Sequence, residues 1–270
     1  MILVNGLAQE SISVLDRGLS YGDGVFRTFE LRDGKPRCWN RQYRKLREDC
    51  RVLAIDCPAQ ADFDCDIRKI ASAHVNAVLK LIVTRGAGGR GYALPEAAAV
   101  NRIVMTFPLP DYPAEYREQG IKARVCELRL ARQPRLAGIK HLNRLENVLA
   151  RAEWNDPDIA EGVLLDCDDD VIEGIVTNLF VVENGVLLTP DLSGCGVAGV
   201  SRERILESAE KQNMLVRIER LNLSRLFAAE EVFVTNSVIG AWQIRELQGR
   251  HWGKGKIISM AQQWLDESND

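Results

Sequence analysis

The chain has 270 residues, of which 46% are hydrophobic and 27% are charged, and its formal net charge at neutral pH is -3. This composition is typical of a globular protein, and the slight acidic excess argues against a nucleic-acid partner because no basic surface is available to neutralise phosphates. No apolar run approaches the length that crosses a membrane, so a membrane partner is not expected either.

Cysteine usage and the first residues indicate the cellular compartment. The seven cysteines are odd in number and include no Cys-x-x-Cys pair, which fits neither a disulfide framework nor a metal site. The chain starts with only four apolar residues before a turn signal, too few for a secretory signal peptide. We therefore expect a cytoplasmic protein with reduced cysteines and no metal.

In chain order, the predicted elements describe an α/β chain that is rich in antiparallel hairpins. Asn5-Gly6, Asp33-Gly34 and Asn184-Gly185 each lie between apolar or alternating runs, which is the signal for a two-residue hairpin turn. Apolar periodicity predicts helices over residues 41–53, 66–76, 142–154, 201–211 and 256–265. Apolar runs predict buried strands over residues 78–84, 102–107, 162–166 and 175–182.

A proline-rich segment divides these elements. Residues 108–113 hold three prolines in six positions directly after a predicted strand, which is typical of an interdomain connection. We predict a small N-terminal α/β domain over residues 1–107, a connection over 108–120, and a larger C-terminal domain with hairpin-rich sheets over 121–270.

Lys140 lies between a short extended run and a predicted amphipathic helix. The apolar positions of that helix have helical spacing: Leu142, Leu145, Val148, Leu149 and Ala152. Asn143 followed by Glu146 resembles a capping pair, so the helix is predicted to begin just after Lys140. A lysine fixed at such a junction suits amine chemistry, because a desolvated lysine can lose its proton. The alternative is a lysine that only ends a strand.

A glycine-rich segment over residues 194–199 matches the dinucleotide-binding pattern, with Glu219 at a suitable distance, so a nucleotide-binding oxidoreductase is one alternative. Against it, residues 189–191 insert a loop before the glycines, and the preceding strand belongs to the Asn184-Gly185 hairpin and not to a parallel crossover. In both cases Ser201 marks an anion site for one phosphate, because free N–H groups and the dipole at a helix N-terminus point at the ligand.

Two other segments have both a functional and a structural interpretation. Glu173 follows the acidic turn of residues 166–170 and is either a strand-end carboxylate or a carboxylate held against a cationic ring nitrogen. The glycine-rich loop of residues 86–92 is either a mobile surface turn or a clamp in which Arg90 and Tyr92 bind a substrate carboxylate. The three histidines are scattered and support no catalytic triad.

Three motifs together resemble a known enzyme family. Residues 16–24, 85–92 and 136–146 are similar to those of the aminodeoxychorismate lyases, which belong with the branched-chain and D-amino acid aminotransferases to the fold type IV pyridoxal-phosphate enzymes. The resemblance spans essentially the whole chain. It implies the two-domain fold of that group, pyridoxal 5'-phosphate (PLP) as cofactor, a homodimer, and conversion of 4-amino-4-deoxychorismate to 4-aminobenzoate and pyruvate for folate synthesis.

The resemblance also implies roles for individual residues. Lys140 would form the Schiff base with PLP and then act as the proton-transfer base, while Glu173 would keep the pyridine nitrogen protonated. Thr28 would be a second catalytic residue that steers the proton around the leaving group. The residues that would bind the cofactor phosphate are Lys45, Val200, Ser201, Asn236 and Ser237. The residues that would bind the substrate are Phe26, Arg90 and Tyr92.

The match departs from the family at one phosphate-binding position. The family usually has an arginine where this chain has Lys45, and lysine keeps the charge but loses the planar fork. Arg44 is adjacent and is the alternative. An aminotransferase on the same fold stays open as a second function, although Leu145 occupies the position of the active-site tyrosine of the branched-chain enzymes.

Overall fold

The computed structural model describes residues 1–97 and 99–267, and the described backbone forms two compact units. Unit 1 comprises Met1–Pro110 together with Lys140–Asn143, and unit 2 comprises Asp111–Ile139 together with Arg144–Glu267. The short segment around Lys140 is therefore part of unit 1, although unit 2 supplies the residues on either side of it in sequence. The predicted domain limits, with a connection over residues 108–120, stay a prediction.

Unit 1 is built on an antiparallel sheet. Its strands are β1 (Ile2–Val4), β2 (Leu7–Ala8), β3 (Gly24–Arg32), β4 (Lys35–Pro36), β5 (Ala77–Thr84) and β6 (Asn101–Phe107). Its helices are α1 (Arg17–Tyr21), α2 (Trp39–Val52) and α3 (Gln60–Ala71). The strands lie in the order β2-β1-β6-β5-β3-β4 and pair in antiparallel register.

The central strand β3 has two different faces. Val25 and Phe29 are fully buried on one face, where the Phe29 ring packs against Trp39 of α2 with ring centroids 5.8 Å apart. Phe26 and Thr28 point to the other face, because side chains alternate along a strand, and both are only half-buried. One face of β3 thus forms core, and the other is available for function.

Unit 2 is built on a mixed sheet. Its strands are β7 (Ile121–Leu130), β8 (Ile159–Asp166), β9 (Val171–Gly174), β10 (Asn178–Glu183), β11 (Val186–Pro190), β12 (Val216–Glu219), β13 (Glu231–Asn236), β14 (Gly240–Leu247) and β15 (Arg250–His251). Its helices are α4 (Ala114–Glu118), α5 (Leu145–Arg151), α6 (Val200–Lys211), α7 (Leu223–Ala228) and α8 (Lys256–Asp266). The strand order is β12-β11-β10-β13-β14-β7-β8-β9, with β15 paired to β14. None of the helices in the described part of the chain is both long and apolar enough to cross a membrane.

Both faces of the unit 2 sheet are covered. Along β10, Leu179 and Val181 belong to one buried apolar cluster, whereas Phe180 and Val182 belong to another that includes side chains of α6 and α8. The rings of Phe180 and Phe233 stack with centroids 5.1 Å apart. A strand buried on both sides has no polar face, which explains the continuous apolar run in this part of the sequence.

The three predicted hairpins are confirmed. The pairs β1–β2, β3–β4 and β10–β11 are antiparallel neighbours joined at these turns. Asn5, Asp33 and Asn184 have φ values of 51°, 51° and 50°, and the glycine after each also has positive φ. Positive φ at both central residues is what a type I′ turn requires, so the local dipeptides were sufficient to predict these hairpins.

The helix after Lys140 begins later than predicted. It is α5, which begins at Leu145 and has no side-chain cap. Glu146 does not cap the helix together with Asn143, because its Oε1 accepts the Ala131 backbone N–H at 2.8 Å. Ala150 is buried, but three larger apolar residues of α5 are exposed instead of joining the core: Leu145, Val148 and Leu149.

Helix α3 begins earlier than predicted. It runs over Gln60–Ala71, whereas periodicity had predicted residues 66–76. Phe63, Ile67 and Ile70 form its buried face. The first turn was missed because acidic residues surround Phe63 and obscure the apolar period.

The strand predicted over residues 175–182 begins later, at Asn178, and is β10. Residues 175–177 separate β9 from β10. The buried carboxylate of Glu161 accepts the Ile175 backbone N–H at 3.1 Å and the Thr177 hydroxyl at 2.9 Å. These bonds occupy donors of residues 175–177, so a carboxylate of the preceding strand β8 keeps these residues out of β10.

Helix α6 connects two parallel strands. β11 pairs with β12 in parallel and with β10 in antiparallel register. The prediction that the strand before the glycine segment is not part of a parallel crossover is therefore wrong. On one edge β11 forms a hairpin with β10, and on the other it is joined to β12 by a parallel crossover through α6.

Candidate active site

The backbone of Lys140 is fixed against β3. The Phe26 backbone N–H donates to the Lys140 carbonyl at 2.9 Å, and the Leu142 N–H donates to the Gly24 carbonyl at 3.0 Å. On the other side, the Lys140 N–H donates to Asp49 Oδ2 of α2 at 3.2 Å. The segment behaves as a short extra strand, so Lys140 has a defined backbone position although no regular element contains it.

Lys140 shares the open face of β3 with several functional candidates. Its Nζ lies 4.6 Å from the centroid of the Phe26 ring. Thr28 lies two residues further along the same face and pairs with Lys80 of β5. The Nζ of Lys80 lies 5.2 Å from the same Phe26 ring. The structure therefore brings Lys140, Phe26 and Thr28 to one face.

Lys80 was not among the predicted site residues. It is the one charged residue within the apolar run of residues 77–84 and is half-buried. A single lysine in an otherwise apolar strand was a signal for function, because burying part of an ammonium group is costly without a purpose. The register that brings it opposite Thr28 depends on the pairing of β3 with β5, which the sequence alone did not reveal.

Lys45 and Arg44 point to different environments. Lys45 has a side chain only 15% exposed, and its Nζ lies 3.5 Å from Glu48 Oε2 and 3.9 Å from Asp49 Oδ1. Arg44 is 39% exposed and pairs with Glu48 at 2.9 Å. Burial would raise the pKa of Glu48, but its hydrogen bond to Arg44 and the charge of Lys45 outweigh burial and lower it. Of the two cations, Lys45 is the one held next to the buried carboxylate that also contacts Lys140.

In unit 2, Glu173 is a buried carboxylate held by a small polar network. It lies on β9, is 4% exposed, and its Oε2 accepts the Val197 N–H at 2.9 Å. The Asn178 side-chain amide lies 3.4 Å from the same oxygen and donates to the Val197 carbonyl at 2.7 Å. The Oδ1 of Asn178 accepts the Gly199 N–H at 3.1 Å. The carboxylate therefore has a fixed position just before the N-terminus of α6.

The N-terminus of α6 offers anion-binding groups. No side chain caps it: Gly199 is the N-cap residue, and Val200 and Ser201 begin the helix and are buried. The Ser201 hydroxyl lies 3.5 Å from that of Ser237. Asn236 uses its Oδ1 to accept the N–H groups of residues 238 and 239, which holds the turn that carries Ser237. Free N–H groups and two hydroxyls at a helix N-terminus suit a phosphate.

These donor groups fit the functional groups of PLP. An amine at Lys140 suits the aldehyde, and a buried carboxylate at Glu173 suits a protonated pyridine nitrogen. The uncapped start of α6 with Ser201 and Ser237 suits the phosphate dianion. The aldehyde, the pyridine nitrogen and the phosphate of PLP thus each have a chemically suitable group in the chain.

The glycine segment over residues 194–199 has a packing explanation. A side chain at Gly199 would place Cβ 2.4 Å from Asn178 Oδ1, and Gly196 has a φ of +85°. The glycines therefore allow the loop to approach the network around Glu173. Glu219, the acidic residue of the nucleotide alternative, is instead bonded to Arg225 at 2.7 Å.

The glycine-rich loop over residues 86–92 exposes the two predicted substrate-binding side chains. Arg90 is exposed, and Tyr92 is 85% exposed with its ring 5.4 Å from that of Tyr21. The loop backbone is held by Arg17, whose guanidinium donates to the Gly91 carbonyl at 3.0 Å. Both side chains are therefore exposed on this loop.

The motif over residues 16–24 supports this loop. Asp16 is fully buried and accepts the Thr84 hydroxyl and the Asn101 amide, each at 2.7 Å. Asp23 binds both Arg17 and Arg85 at 2.8 Å. Burial would raise the pKa of Asp23, but the hydrogen bonds and charges of these arginines outweigh it and lower the pKa. The motif is therefore a structural clamp.

The fold and these donor groups define a class of protein, the amino-transferase class IV family. The model of this family matches residues 24–247, and the chain belongs to it. The predicted fold type IV architecture is confirmed.

Within the family, the chain is similar to aminodeoxychorismate lyases. It is 35% identical to the aminodeoxychorismate lyase of Vibrio harveyi over 243 residues, which cover 89% of each chain. It matches the crystal structure of 4-amino-4-deoxychorismate lyase from Pseudomonas aeruginosa with a TM-score of 0.94 at 45% identity, over 99% of both chains. The branched-chain amino acid aminotransferase of Escherichia coli matches with a TM-score of 0.86 at 25% identity, over 100% of this chain and 96% of that one. The resemblance inferred from the three motifs is confirmed.

Proposed function

We propose that this chain is a PLP-dependent lyase that converts 4-amino-4-deoxychorismate to 4-aminobenzoate and pyruvate, a reaction that feeds folate synthesis. The observation that carries the proposal is the similarity to two aminodeoxychorismate lyases. The chain is 35% identical to one over 89% of its length and 45% identical to the other over 99% of its length. The match between the donor groups of the chain and the functional groups of PLP supports it further.

Individual residues of the chain would hold each group of the cofactor. Lys140 would bind its aldehyde, and Glu173 would hold the proton on its pyridine nitrogen. The residues assigned to the phosphate are Lys45, Val200, Ser201, Asn236 and Ser237. When bound, PLP supplies an electron sink for the electron pair left when a C–H bond beside the substrate amine breaks.

Lys140 and Thr28 would carry the protons. The amine of Lys140 removes the proton from the carbon that bears the substrate amine, and the Phe26 ring favours the resulting ammonium on this face. The Thr28 hydroxyl orients or supplies the proton for the enolpyruvyl oxygen as it leaves. A positioned proton donor contributes typically about 10²–10⁴-fold to the rate. Formation of an aromatic product ring makes the reaction strongly favourable. The main task of the protein is therefore to orient the groups that transfer protons.

Cationic side chains would bind the two carboxylates of the substrate. Lys80 is half-buried beside Phe26 and opposite Thr28, which supports a direct role in substrate binding. Arg90 and Tyr92 are exposed on the glycine-rich loop and would bind the second carboxylate. A planar guanidinium binds a carboxylate through two parallel hydrogen bonds, which favours Arg90 for this role.

The chain would act as a cytoplasmic homodimer. Exposed apolar side chains on α5 support the dimer, since Leu145, Val148 and Leu149 are 68%, 61% and 54% exposed. In unit 1, Val14 and Leu15 are 79% and 62% exposed. Exposed apolar patches of this kind mark association surfaces. Sedimentation equilibrium measures the mass directly, and a monomer at micromolar concentration would contradict the dimer.

A direct assay tests the function. Wild-type protein with PLP and 4-amino-4-deoxychorismate should release 4-aminobenzoate, measured by its fluorescence, and an equal amount of pyruvate. Lys140→Ala should lose both the activity and the visible absorbance of the bound cofactor. Thr28→Val should keep the absorbance but lose about 10²–10⁴-fold in kcat. A yellow wild-type protein that forms no 4-aminobenzoate would contradict the proposal.

An aminotransferase is the second candidate function. It is favoured by the similarity to branched-chain aminotransferases, which match over 91% of the chain at 28% identity. Incubation with leucine or D-alanine and 2-oxoglutarate distinguishes the two functions. Fast formation of glutamate without release of 4-aminobenzoate would favour the aminotransferase.

A further inference from the structure

Asp49 connects α2 to the Lys140 segment within unit 1. This aspartate lies in the last turn of α2 and is 2% exposed. Its Oδ2 accepts the backbone N–H of Lys140 at 3.2 Å, and its Oδ1 lies 3.9 Å from Nζ of Lys45. One buried carboxylate therefore contacts the two lysines that we assign to the cofactor.

Arg27 is the counter-ion of this carboxylate. It lies on the buried face of β3, is 2% exposed, and binds Asp49 Oδ2 through Nη2. A buried ion pair of this kind usually adds little net stability compared with two apolar side chains, because both charges must leave water. Stability alone therefore does not explain a charged pair here. The pair also holds an oxygen of Asp49 at a fixed point beside Lys140.

Lys140 is held on both sides of its Cα atom. Asp49 accepts the N–H of the peptide before Lys140, and Phe26 donates to the carbonyl of the peptide after it at 2.9 Å. These two bonds fix the backbone dihedral angles of Lys140, so only side-chain rotation remains. The Phe26 ring, 4.6 Å from Nζ, limits that rotation.

We infer that Asp49, with Arg27 as its counter-ion, is a positioning residue that sets the backbone of Lys140 for reaction. The inference rests on the proposed role of Lys140 as the cofactor lysine. A misplacement of about 1 Å at a reacting group can cost on the order of 10²-fold in rate. Loss of the Asp49 acceptor should therefore slow cofactor attachment and lower kcat, with little change in KM.

The test follows attachment of PLP to the apo protein. The readouts are the rate at which the visible band appears and the fraction of Lys140 fixed by borohydride, determined by peptide mass mapping. Asp49→Asn keeps an oxygen that can accept the Lys140 N–H, whereas Asp49→Ala removes it. Both variants remove the negative charge of Asp49, so they are matched in charge. We expect Asp49→Ala to attach PLP and to turn over roughly tenfold more slowly than Asp49→Asn.

Two controls separate positioning from folding. The double variant Arg27→Met/Asp49→Ala removes both charges, so it should be more stable in urea than Asp49→Ala, which leaves Arg27 as an unpaired buried charge, while its attachment rate stays as slow as that of Asp49→Ala. Glu48→Gln removes the neighbouring carboxylate, 3.5 Å from Lys45, but leaves the bond to Lys140, so attachment should proceed at the wild-type rate. Attachment by Asp49→Ala, or by the stably folded double variant, at the Asp49→Asn rate overturns the inference.

Failure of the proposed function has a different signature. Wild-type protein that fixes PLP on Lys140 but makes no 4-aminobenzoate contradicts the lyase assignment alone. A wild-type protein that attaches no PLP at Lys140 overturns both the function and the positioning role of Asp49.

Discussion

Asn178 links the buried carboxylate of Glu173 to the start of α6. Replacing Asn178 by aspartate should make the stability of unit 2 depend on pH. Asn178→Asp keeps the shape and the oxygen that accepts the Gly199 N–H. It removes the amide that donates to the Val197 carbonyl at 2.7 Å and lies 3.4 Å from Glu173 Oε2. The variant therefore leaves a buried carbonyl without this donor and brings two carboxylates together.

The magnitude follows from these contacts. The unsatisfied carbonyl costs about 1–3 kcal/mol. Two charges about 3.4 Å apart repel by roughly 5 kcal/mol at an effective dielectric of about 20. Uptake of one proton limits that repulsion, because protonating a carboxyl of pKa about 3.9 costs about 4 kcal/mol at pH 7 but only about 1.5 kcal/mol at pH 5. The charge penalty should therefore fall by about 2–3 kcal/mol between pH 7 and pH 5.

The sign follows from linkage. The introduced carboxyl has a raised pKa in the folded state, so its protonated form favours folding at low pH and this contribution is lost as the pH rises. Urea unfolding of apo protein, followed by tryptophan fluorescence at both pH values, measures the effect. Four of the five tryptophans lie in unit 2, so the signal reports mainly on this unit. Asn178→Leu is the control, since it loses the hydrogen bonds without adding charge and its penalty should not vary with pH. Equal penalties for the aspartate variant at pH 5 and pH 7 would refute the reasoning.

Three further predictions concern other parts of the chain. Gly86→Ala should cost at least about 2 kcal/mol in urea unfolding, because Gly86 has a φ of +85° and a Cβ there would lie 1.8 Å from the Ala99 carbonyl oxygen. Gly89→Ala in the same loop meets no atom within 4 Å and should change stability by less than about 1 kcal/mol; equal effects would contradict the strain argument. Burial raises the pKa of Glu161 despite its hydrogen-bond donors, so its ionisation destabilises the fold as the pH rises above the unfolded value of about 4.3. The stability of Glu161→Gln relative to wild type should therefore improve from pH 4 to pH 8, and a difference that stays constant across this range would be inconsistent with a raised pKa. The Cys50 thiol lowers the pKa of Cys57 by hydrogen bonding, so mass mapping should find that iodoacetamide alkylates Cys57 at a lower pH than it alkylates the exposed cysteines. Identical pH profiles for all accessible thiols would rule this out.

Local signals in the sequence predicted the turns and much of the candidate site. The hairpins at Asn5, Asp33 and Asn184 follow from dipeptides whose own backbone preferences match the turn. The start of α6, predicted at Ser201 and found at Val200, was also readable, since glycines followed by an apolar period mark the beginning of a helix. Lys140 stood out by its motif, and similarity to the lyases supports the same enzyme class.

Features that depend on residues far apart in sequence were not predicted. The break between β9 and β10 is caused by Glu161, which lies on a preceding strand. The position of Lys80 opposite Thr28 depends on strand register, because a shift by one residue would turn it to the other face.

The sequence by itself determined which residue types and turns this chain contains and, through its motifs, the enzyme class to which they belong. The tertiary structure decided which side chains meet, as with Asp49 and Lys140, which are 91 positions apart and 3.2 Å from each other at the hydrogen bond that joins them. Local backbone preferences are properties of a few neighbouring residues. Contacts of this kind form only when the chain folds back on itself and buries the groups that take part.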